Sequence, residues 1–306
     1  MTNAAFSPTS LQKILLPITT PFHADGIDHS ALRANIDRWS TTGIGGFVIL
    51  GSTGERVHLD EREYLEVIET TREVVPPSLA FIVGAGQQSV VGTVNEIQRA
   101  AKAGVDAVLV ITPSYYRSAI TQPALIDFYD AVADASPVPL LLYSMPALTG
   151  IKIEPETVAR LSEHENIMGV KDSSNDLAGF AETVKLCPPE FAVLTGNGTV
   201  FLDALRAGAT GAILAVGCVV PETCVAIFDA FNDNDDKRAS LLQAKLTPLA
   251  AAVTTRFGIG GLKAALDLAG YQGGSVRAPL READESARKE IATLLADMQA
   301  AASASS

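Results

Sequence analysis

Cysteine and histidine are scarce in this chain, which argues against two kinds of site. The 306 residues contain only three cysteines, Cys187, Cys218 and Cys224, and none of them forms a C-x-x-C pair. An odd and widely spaced set of this kind argues against a disulfide framework and against a zinc knuckle. The four histidines, at positions 23, 29, 58 and 164, show no metal-ligand spacing, so we expect no metal site.

Positive charge and long apolar runs are also lacking. The net charge is -12, with no cluster of basic residues, which argues against nucleic acid and anionic membranes as partners. No uninterrupted apolar run reaches the roughly 18 residues of a membrane span. The first ten residues, MTNAAFSPTS, lack the basic and apolar regions of a signal peptide. We therefore expect a cytoplasmic protein.

Short apolar runs alternate with longer amphipathic segments. Most of the short runs are continuously apolar, which is typical of parallel strands buried on both faces. Eight such runs with helical segments between them predict a (β/α)8 TIM barrel, with a doubly wound sheet as the alternative. The predicted strands are 13–19, 45–51, 79–86, 106–112, 138–144, 167–172, 191–196 and 211–216.

The pattern changes after the eighth run, because residues beyond about 221 show only helical periodicity. We expect these helices to form an extension packed on the barrel. The predicted division is a catalytic barrel over residues 1–225 and a C-terminal helical domain over residues 226–306. The helical segments predicted within the barrel include 28–42, 60–75 and 93–104.

Lys171 is the first candidate for chemistry, since it ends the sixth apolar run. Functional side chains of TIM barrels sit where the strands end. An ammonium group there is poorly solvated, which favours the neutral amine. Such an amine attacks a ketone to form a Schiff base, and the iminium is an electron sink for the adjacent carbon–carbon bond. The alternative is a structural lysine paired with Asp172 or Glu55.

Two further motifs end neighbouring strands. Tyr143 closes the fifth run, where its phenol would relay protons, although simple packing at the barrel mouth is the alternative. The second run ends in GSTGE, residues 51–55, which we name the GSTGE loop. Its hydroxyls, Ser52 and Thr53, and its amides suit a carboxylate, and it lacks the Gly-Lys-Ser/Thr ending of a phosphate loop. The alternative is an ordinary turn in which Thr53 caps the next helix.

In this order, these motifs resemble the dihydrodipicolinate synthase / N-acetylneuraminate lyase family. The resemblance implies a TIM barrel with a C-terminal helical domain, assembled as a homotetramer. It also implies an imine between Lys171 and pyruvate or another 2-oxo acid, with Tyr143 as the proton relay. No metal or organic cofactor is then needed, because the iminium is the electron sink. The motifs are PITTPF (17–22), GSTGE (51–55), TPSYY (112–116), YSMPALTG (143–150) and GVKDSS (169–174).

The same resemblance assigns roles to residues around Lys171. Two hydroxyl residues of the GSTGE loop would hold the substrate carboxylate, and one of them would also help in proton transfer. An aromatic residue would reach into the site of a neighbouring subunit, and three residues would contact the substrate or line the pocket. The two hydroxyl residues are Ser52 and Thr53, and Thr53 is the one that would help in proton transfer. The aromatic residue is Tyr115, and the remaining three are Ser173, Gly196 and Ile213.

Leu148 distinguishes this chain from the synthases of the family. They carry an arginine at that place for the carboxylate of the second substrate, and leucine cannot make this contact. With this departure, the motifs YS-P (143–146) and KDSS (171–174) and the segment 251–280, the chain resembles the 4-hydroxy-2-oxoglutarate aldolases. Those enzymes carry Ser-Asn-Gly where this chain has Ser52-Thr53-Gly54.

The sequence therefore predicts a class I aldolase that cleaves 4-hydroxy-2-oxoglutarate, or a related 2-oxo-4-hydroxy acid, to pyruvate and an aldehyde. Two alternatives keep the Schiff base: a 2-keto-3-deoxy sugar-acid aldolase or dehydratase, and a dihydrodipicolinate synthase. An alternative of another class is a non-catalytic protein that senses a 2-oxo acid.

Overall fold

The structure is a computed structural model that describes residues 6–24 and 26–303. Eight parallel strands close into a barrel in which neighbours follow chain order, and the first strand pairs with both the second and the eighth. The predicted fold class is thus confirmed. The strands are β1 Ile14–Pro17, β2 Gly46–Ile49, β3 Ala80–Ala85, β4 Ala107–Ile111, β5 Leu140–Ser144, β6 Ile167–Asp172, β7 Ala192–Thr195 and β8 Gly211–Ile213.

Helices surround the barrel and continue into the C-terminal extension. A one-turn helix, Pro146–Thr149, follows β5, and a short antiparallel pair, Phe22–His23 with Gly26–Ile27, follows β1. The barrel helices are α1 His29–Trp39, α2 Glu61–Val74, α3 Val90–Lys102, α4 Gln122–Ala135, α5 Pro155–Leu161, α6 Leu177–Leu186, α7 Phe201–Arg206 and α8 Pro221–Asn232. The extension contains α9 Asp236–Ala251, α10 Gly258–Leu268 and α11 Glu285–Ser303.

Side-chain caps decide where several helices begin. The Asp60 carboxylate accepts a hydrogen bond from the amide of Glu63, the Glu63 carboxylate accepts one from the amide of Asp60, and this capping box starts α2. Helix α3 begins at Val90, three residues before the predicted start, because the Ser89 hydroxyl accepts from the amide of Gly92. The predicted start of this helix was therefore too late, because the capping role of Ser89 was not recognised from the sequence.

The core has two layers, which explains why the strands are apolar on both faces. Alternate strand side chains fill the barrel interior, and the others pack between the strands and the helices. The inner layer includes Val48, Ile82, Leu109, Leu141, Leu194 and Ile213.

The C-terminal extension packs over the ends of the last barrel strands. Helix α9 lies against α8 and against the turn Gly198–Val200, which follows β7. Gln243 of α9 fixes this contact, since its amide donates to the carbonyl of Gly198 at 3.0 Å and accepts from the amide of Leu202 at 3.1 Å. Helix α8 crosses residue 225, so the division into two domains there stays a prediction.

Two details complete the extension. Helix α9 continues through Pro248 into a π-helical turn, Ala252–Arg256, that packs on the turn after β8. Among the described residues, no helix has both the length and the hydropathy needed to cross a bilayer.

Candidate active site

Lys171 and Tyr143 meet at the carboxyl ends of β5 and β6. They are Cα partners in the pairing of these strands, so their side chains stand at the same height. Both are buried, with 5% of Lys171 and 4% of Tyr143 exposed. The Lys171 amine lies 4.4 Å from the centre of the Tyr143 ring, which makes the phenol its immediate neighbour.

The carboxylates considered as partners of Lys171 are engaged elsewhere. Asp172 accepts a hydrogen bond from the amide of Ser174 at 2.6 Å, and burial raises the pKa of its carboxyl group. Glu55 forms an ion pair with Lys263 at 2.6 Å. Within the described part of the chain, Lys171 forms no ion pair within 4.0 Å. No described carboxylate therefore occupies this amine, which leaves it available to a substrate carbonyl.

The GSTGE loop reaches the site from the end of β2. The Ser52 hydroxyl lies 3.4 Å from the Tyr143 hydroxyl, and Thr53 beside it is buried. The strand end approaches β3 so closely that a Cβ on Gly84 would lie 2.2 Å from the carbonyl oxygen of Leu50. Only a glycine at that position permits this approach, which brings the loop hydroxyls over the barrel.

Gly196 and Ser173 form a second wall beside the lysine. The Gly196 amide donates to the carbonyl of Asp172 at 2.6 Å, which links the ends of β6 and β7. A Cβ on Gly196 would lie 2.7 Å from Cε of Lys171 and 2.0 Å from Oγ of Ser173. The lysine stem and the Ser173 hydroxyl therefore share the space that glycine leaves open.

Ile213 lies on β8, directly after Ala212, the Cα partner of Thr195 on β7. It is fully buried in the inner layer of the barrel, in the same cluster as Tyr143 and Leu194. Six of the sequence-predicted positions thus surround the barrel mouth: Lys171, Tyr143, Ser52, Thr53, Ser173 and Gly196.

A cavity of about 60 Å³ opens next to Ser52 and Tyr143. Its lining also contains Arg56 and Ile111, together with the glycines of the β3 end. Because one water needs roughly 10–15 Å³ measured in this way, the space holds a few waters or the polar end of a small acid.

The sequence interpretation missed Arg56. This side chain is paired with the buried carboxylate of Glu96, and burial lowers the pKa of its guanidinium. Glu96 in turn accepts from the amide of Gly86 at 2.9 Å, at the end of β3. Its position in the sequence could have indicated a place near the site, since Arg56 directly follows the GSTGE loop.

Tyr115 is the one exposed residue among the four predicted catalytic residues, since Lys171, Tyr143 and Thr53 are buried. It is 78% exposed and packs edge-on against Tyr116, with ring centres 5.1 Å apart. The Gln88 side chain accepts from its amide at 2.8 Å and so fixes its loop against the end of β3. Leu148 is 60% exposed.

Metal ligands do not converge in the described residues, where no group of three His, Cys, Asp or Glu side chains is placed to hold an ion. His58 instead lies beside Glu55, with Nδ1 3.3 Å from Oε2.

Known proteins match this chain over most of its length. Residues 10–298 match the model of the dihydrodipicolinate synthetase family. A 4-hydroxy-tetrahydrodipicolinate synthase of Syntrophus aciditrophicus is 36% identical over 277 residues, which cover 90% of this chain and 94% of that protein.

Solved structures agree with these sequence matches. The dihydrodipicolinate synthase of Thermotoga maritima superposes with a TM-score of 0.89 at 28% identity, covering 95% of this chain and 99% of that one. YagE, a prophage protein of the same family from E. coli K12 solved in complex with pyruvate, gives a TM-score of 0.87 at 29% identity, covering 94% and 98%. With the family model spanning the barrel and most of the extension, this chain belongs to the dihydrodipicolinate synthetase family.

Proposed function

We propose that this chain is a pyruvate-dependent enzyme of the class I aldolase type, with Lys171 as the Schiff-base residue. The amine of Lys171 adds to the keto carbon of pyruvate, and loss of water gives an iminium ion. Removal of a methyl proton then gives an enamine whose carbon attacks an aldehyde. The observation that carries this proposal is the buried Lys171 amine, which has no ion-pair partner among the described residues and stands against Tyr143.

The surrounding residues suit the steps of this reaction. Ser52 and Thr53, with the loop amides, would bind the carboxylate of the 2-oxo acid. Tyr143, whose hydroxyl lies 3.4 Å from that of Ser52, would carry protons between the substrate and water. Ser173, beside the stem of Lys171, would contact the part of the substrate that extends from the imine.

The first candidate for the overall reaction is the condensation of pyruvate with an aldehyde. It is supported by relatives that are named 4-hydroxy-tetrahydrodipicolinate synthase. In this direction the enamine carbon forms a bond to the aldehyde carbon, and the aldehyde oxygen takes up a proton. Hydrolysis of the imine then frees Lys171.

The second candidate is the cleavage of 4-hydroxy-2-oxoglutarate to pyruvate and an aldehyde. It uses the same imine in reverse, with Tyr143 accepting the proton of the C4 hydroxyl as the C3–C4 bond breaks. The sequence resemblance supports it, through Leu148, the YS-P and KDSS motifs and the segment 251–280.

Assembly forms part of the same proposal. Tyr115 is largely exposed, unlike the buried Lys171 and Tyr143. We place it in the site of a neighbouring subunit, where it would join Thr53 and Tyr143 in the proton relay. The enzyme would then be at least a dimer, and a homotetramer by the family resemblance.

Reductive trapping is the direct test. Incubation with pyruvate and borohydride should add the mass of one reduced pyruvate to the peptide that contains Lys171. Lys171→Met should abolish the adduct, whereas Lys152→Met, a control that removes a lysine ion-paired with Asp176, should leave it intact. Absence of an adduct on Lys171 in the wild-type protein would contradict the proposed mechanism. Turnover of pyruvate with aldehydes, compared with cleavage of 4-hydroxy-2-oxoglutarate, then separates the two candidates.

A further inference from the structure

A buried ion pair connects the GSTGE loop to the C-terminal extension. The Lys263 amine of α10 lies 2.6 Å from the Glu55 carboxylate, and their side chains are 3% and 0% exposed. The amine also donates to the carbonyls of Thr20 at 2.7 Å and Ser275 at 2.6 Å. Burying two charges is costly, and apolar residues often stabilise a fold as well as such a pair does. The pair therefore calls for an explanation beyond stability.

Glu55 adopts a backbone conformation that needs external support. Its φ of 54° and ψ of 33° lie in the left-handed region, which is disfavoured for residues that carry a Cβ. The second carboxylate oxygen accepts from the amide of Arg277 at 3.0 Å, so another segment of the extension also holds this side chain. Contacts from outside the barrel thus fix the backbone where the loop ends.

Lys263 supports the loop at a second point through Thr20. The Thr20 hydroxyl donates to the carbonyl of Gly54 at 2.8 Å, while its own carbonyl accepts from Lys263. Both of the last two loop residues are therefore tied to one amine. Ser52, only three residues before Glu55, lies 3.4 Å from the Tyr143 hydroxyl.

We propose that Glu55 and Lys263 are positioning residues, through which the C-terminal extension holds the hydroxyls of Ser52 and Thr53 over the imine site. This inference rests on the proposed function for its catalytic consequence. Neither residue contacts the reacting atoms in this arrangement. They act by fixing the loop, and small displacements of a binding group are enough to slow catalysis about 100-fold.

The test compares Glu55→Gln and the double variant E55Q/K263M with a matched control. The double variant leaves no unpaired buried charge, which protects folding. The control is Arg38→Met, because Arg38 also ties the barrel to the extension, by donating to the carbonyls of Ala269 and Gly270. Within the described residues it forms no hydrogen bond or ion pair with the GSTGE loop. Circular dichroism and melting curves establish that each variant is folded.

Two readouts separate positioning from a purely structural role. In both loop variants, we expect faster amide hydrogen exchange in a peptide that spans residues 50–56, and a KM for pyruvate raised about tenfold to 100-fold. The rate of imine formation at saturating pyruvate should change much less, and the control should match the wild type in both readouts. The single variant Lys263→Arg, which keeps a positive charge beside Glu55, should retain part of the protection of residues 50–56 from hydrogen exchange.

The exchange measurement needs no turnover, so it stands apart from the proposed reaction. If wild-type protein fails to form the pyruvate adduct, the proposed function fails while the exchange result still decides whether the pair holds the loop. Unchanged exchange in folded loop variants would overturn the inference. It would also be overturned if both loop variants failed to fold, since the pair would then be a determinant of the fold as a whole.

Discussion

Tyr143 and Lys171 are Cα partners on adjacent parallel strands, and the lysine amine lies 4.4 Å from the tyrosine ring centre. Side chains alternate along each strand, so two residues in register on neighbouring strands point to the same side. Here that side is the barrel interior, at the end where loops bring in further polar groups. Strand register thus places a phenol beside the proposed nucleophile.

The first prediction concerns the hydroxyl of Tyr143. Tyr143→Phe keeps the ring, which is 4% exposed, and removes only the group that would carry protons. We expect kcat to fall about 10²- to 10⁴-fold, while borohydride still traps pyruvate on Lys171. Tyr271→Phe is the control, since it removes the hydroxyl of another buried tyrosine, whose ring stacks on Trp39. A kcat close to the wild-type value for Tyr143→Phe would refute the relay.

The second prediction concerns the space beside the lysine. Gly196→Ala introduces a Cβ 2.7 Å from Cε of Lys171 and 2.0 Å from Oγ of Ser173. Because one of these groups must move, we expect the rate of pyruvate trapping to fall at least about tenfold. Gly26→Ala is the control, as its Cβ would meet nothing closer than 3.7 Å. Normal trapping by a folded Gly196→Ala protein would show that the wall tolerates a methyl group.

The third prediction concerns the aldehyde specificity at Leu148. This side chain is 60% exposed, so Leu148→Arg should change the free energy of unfolding by less than about 0.5 kcal/mol. A guanidinium there should raise kcat/KM for aldehydes that carry a carboxylate by roughly tenfold or more, since bonds to charged groups contribute about 1.5–3 kcal/mol. Leu148→Gln, polar but uncharged, is the control. An equal increase in kcat/KM for both variants would show that the charge is not the cause.

The fourth prediction tests whether Tyr115 acts in a neighbouring subunit. Tyr115→Phe and Lys171→Met should each be inactive or nearly so. Subunit exchange between them should restore part of the activity, because mixed oligomers contain sites with an intact lysine from one chain and an intact tyrosine from the other. Activity assays before and after exchange provide the measurement. No recovery in mixtures that sedimentation shows to be mixed oligomers would place Tyr115 outside the relay.

The fifth prediction concerns pH and the ion pair between Glu63 of α2 and Arg277 of the C-terminal extension. Arg277 donates to Glu63 at 2.6 Å, and this hydrogen bond is the main cause that lowers the pKa of the Glu63 carboxyl group. A lowered folded-state pKa stabilises the protein above the ordinary value of about 4.3, and the stabilisation is lost as the pH falls through the folded-state pKa. Glu63→Gln should therefore show a shallower loss of stability over that acidic range.

Urea unfolding at a series of pH values measures this difference. Glu66→Gln is the control, because Glu66 forms an exposed pair with Arg62 that contributes little. Identical pH profiles for wild type and Glu63→Gln would mean that the Arg277 contact does not contribute.

The barrel and much of the site could be predicted because their signals are local. A strand buried on both faces must be apolar throughout, so the run that ends at Lys171 marks both the strand and its exceptional last residue. Helix α3 shows where this reasoning loses accuracy. The spacing of its apolar residues predicted a later start, whereas the cap formed by Ser89 decides its first residue. The resemblance of the ordered motifs then supplied roles for Ser173, Gly196 and Ile213.

Contacts between distant segments could not be predicted in this way. Glu55 was considered as a partner of Lys171, yet its carboxylate pairs with Lys263, more than 200 residues away along the chain. Arg56 carries no motif of its own, and only folding brings it to the cavity with Ser52 and Tyr143.

The sequence by itself determined the strand and helix pattern, the acidic charge and the order of motifs at the strand ends, because each depends on neighbours along the chain. Only the tertiary structure decided which charges are paired, which hydroxyl lies beside that of Tyr143 and how the extension reaches the GSTGE loop. Those relations arise when barrel closure and helix packing bring together groups whose separation along the chain carries no information about their distance in space.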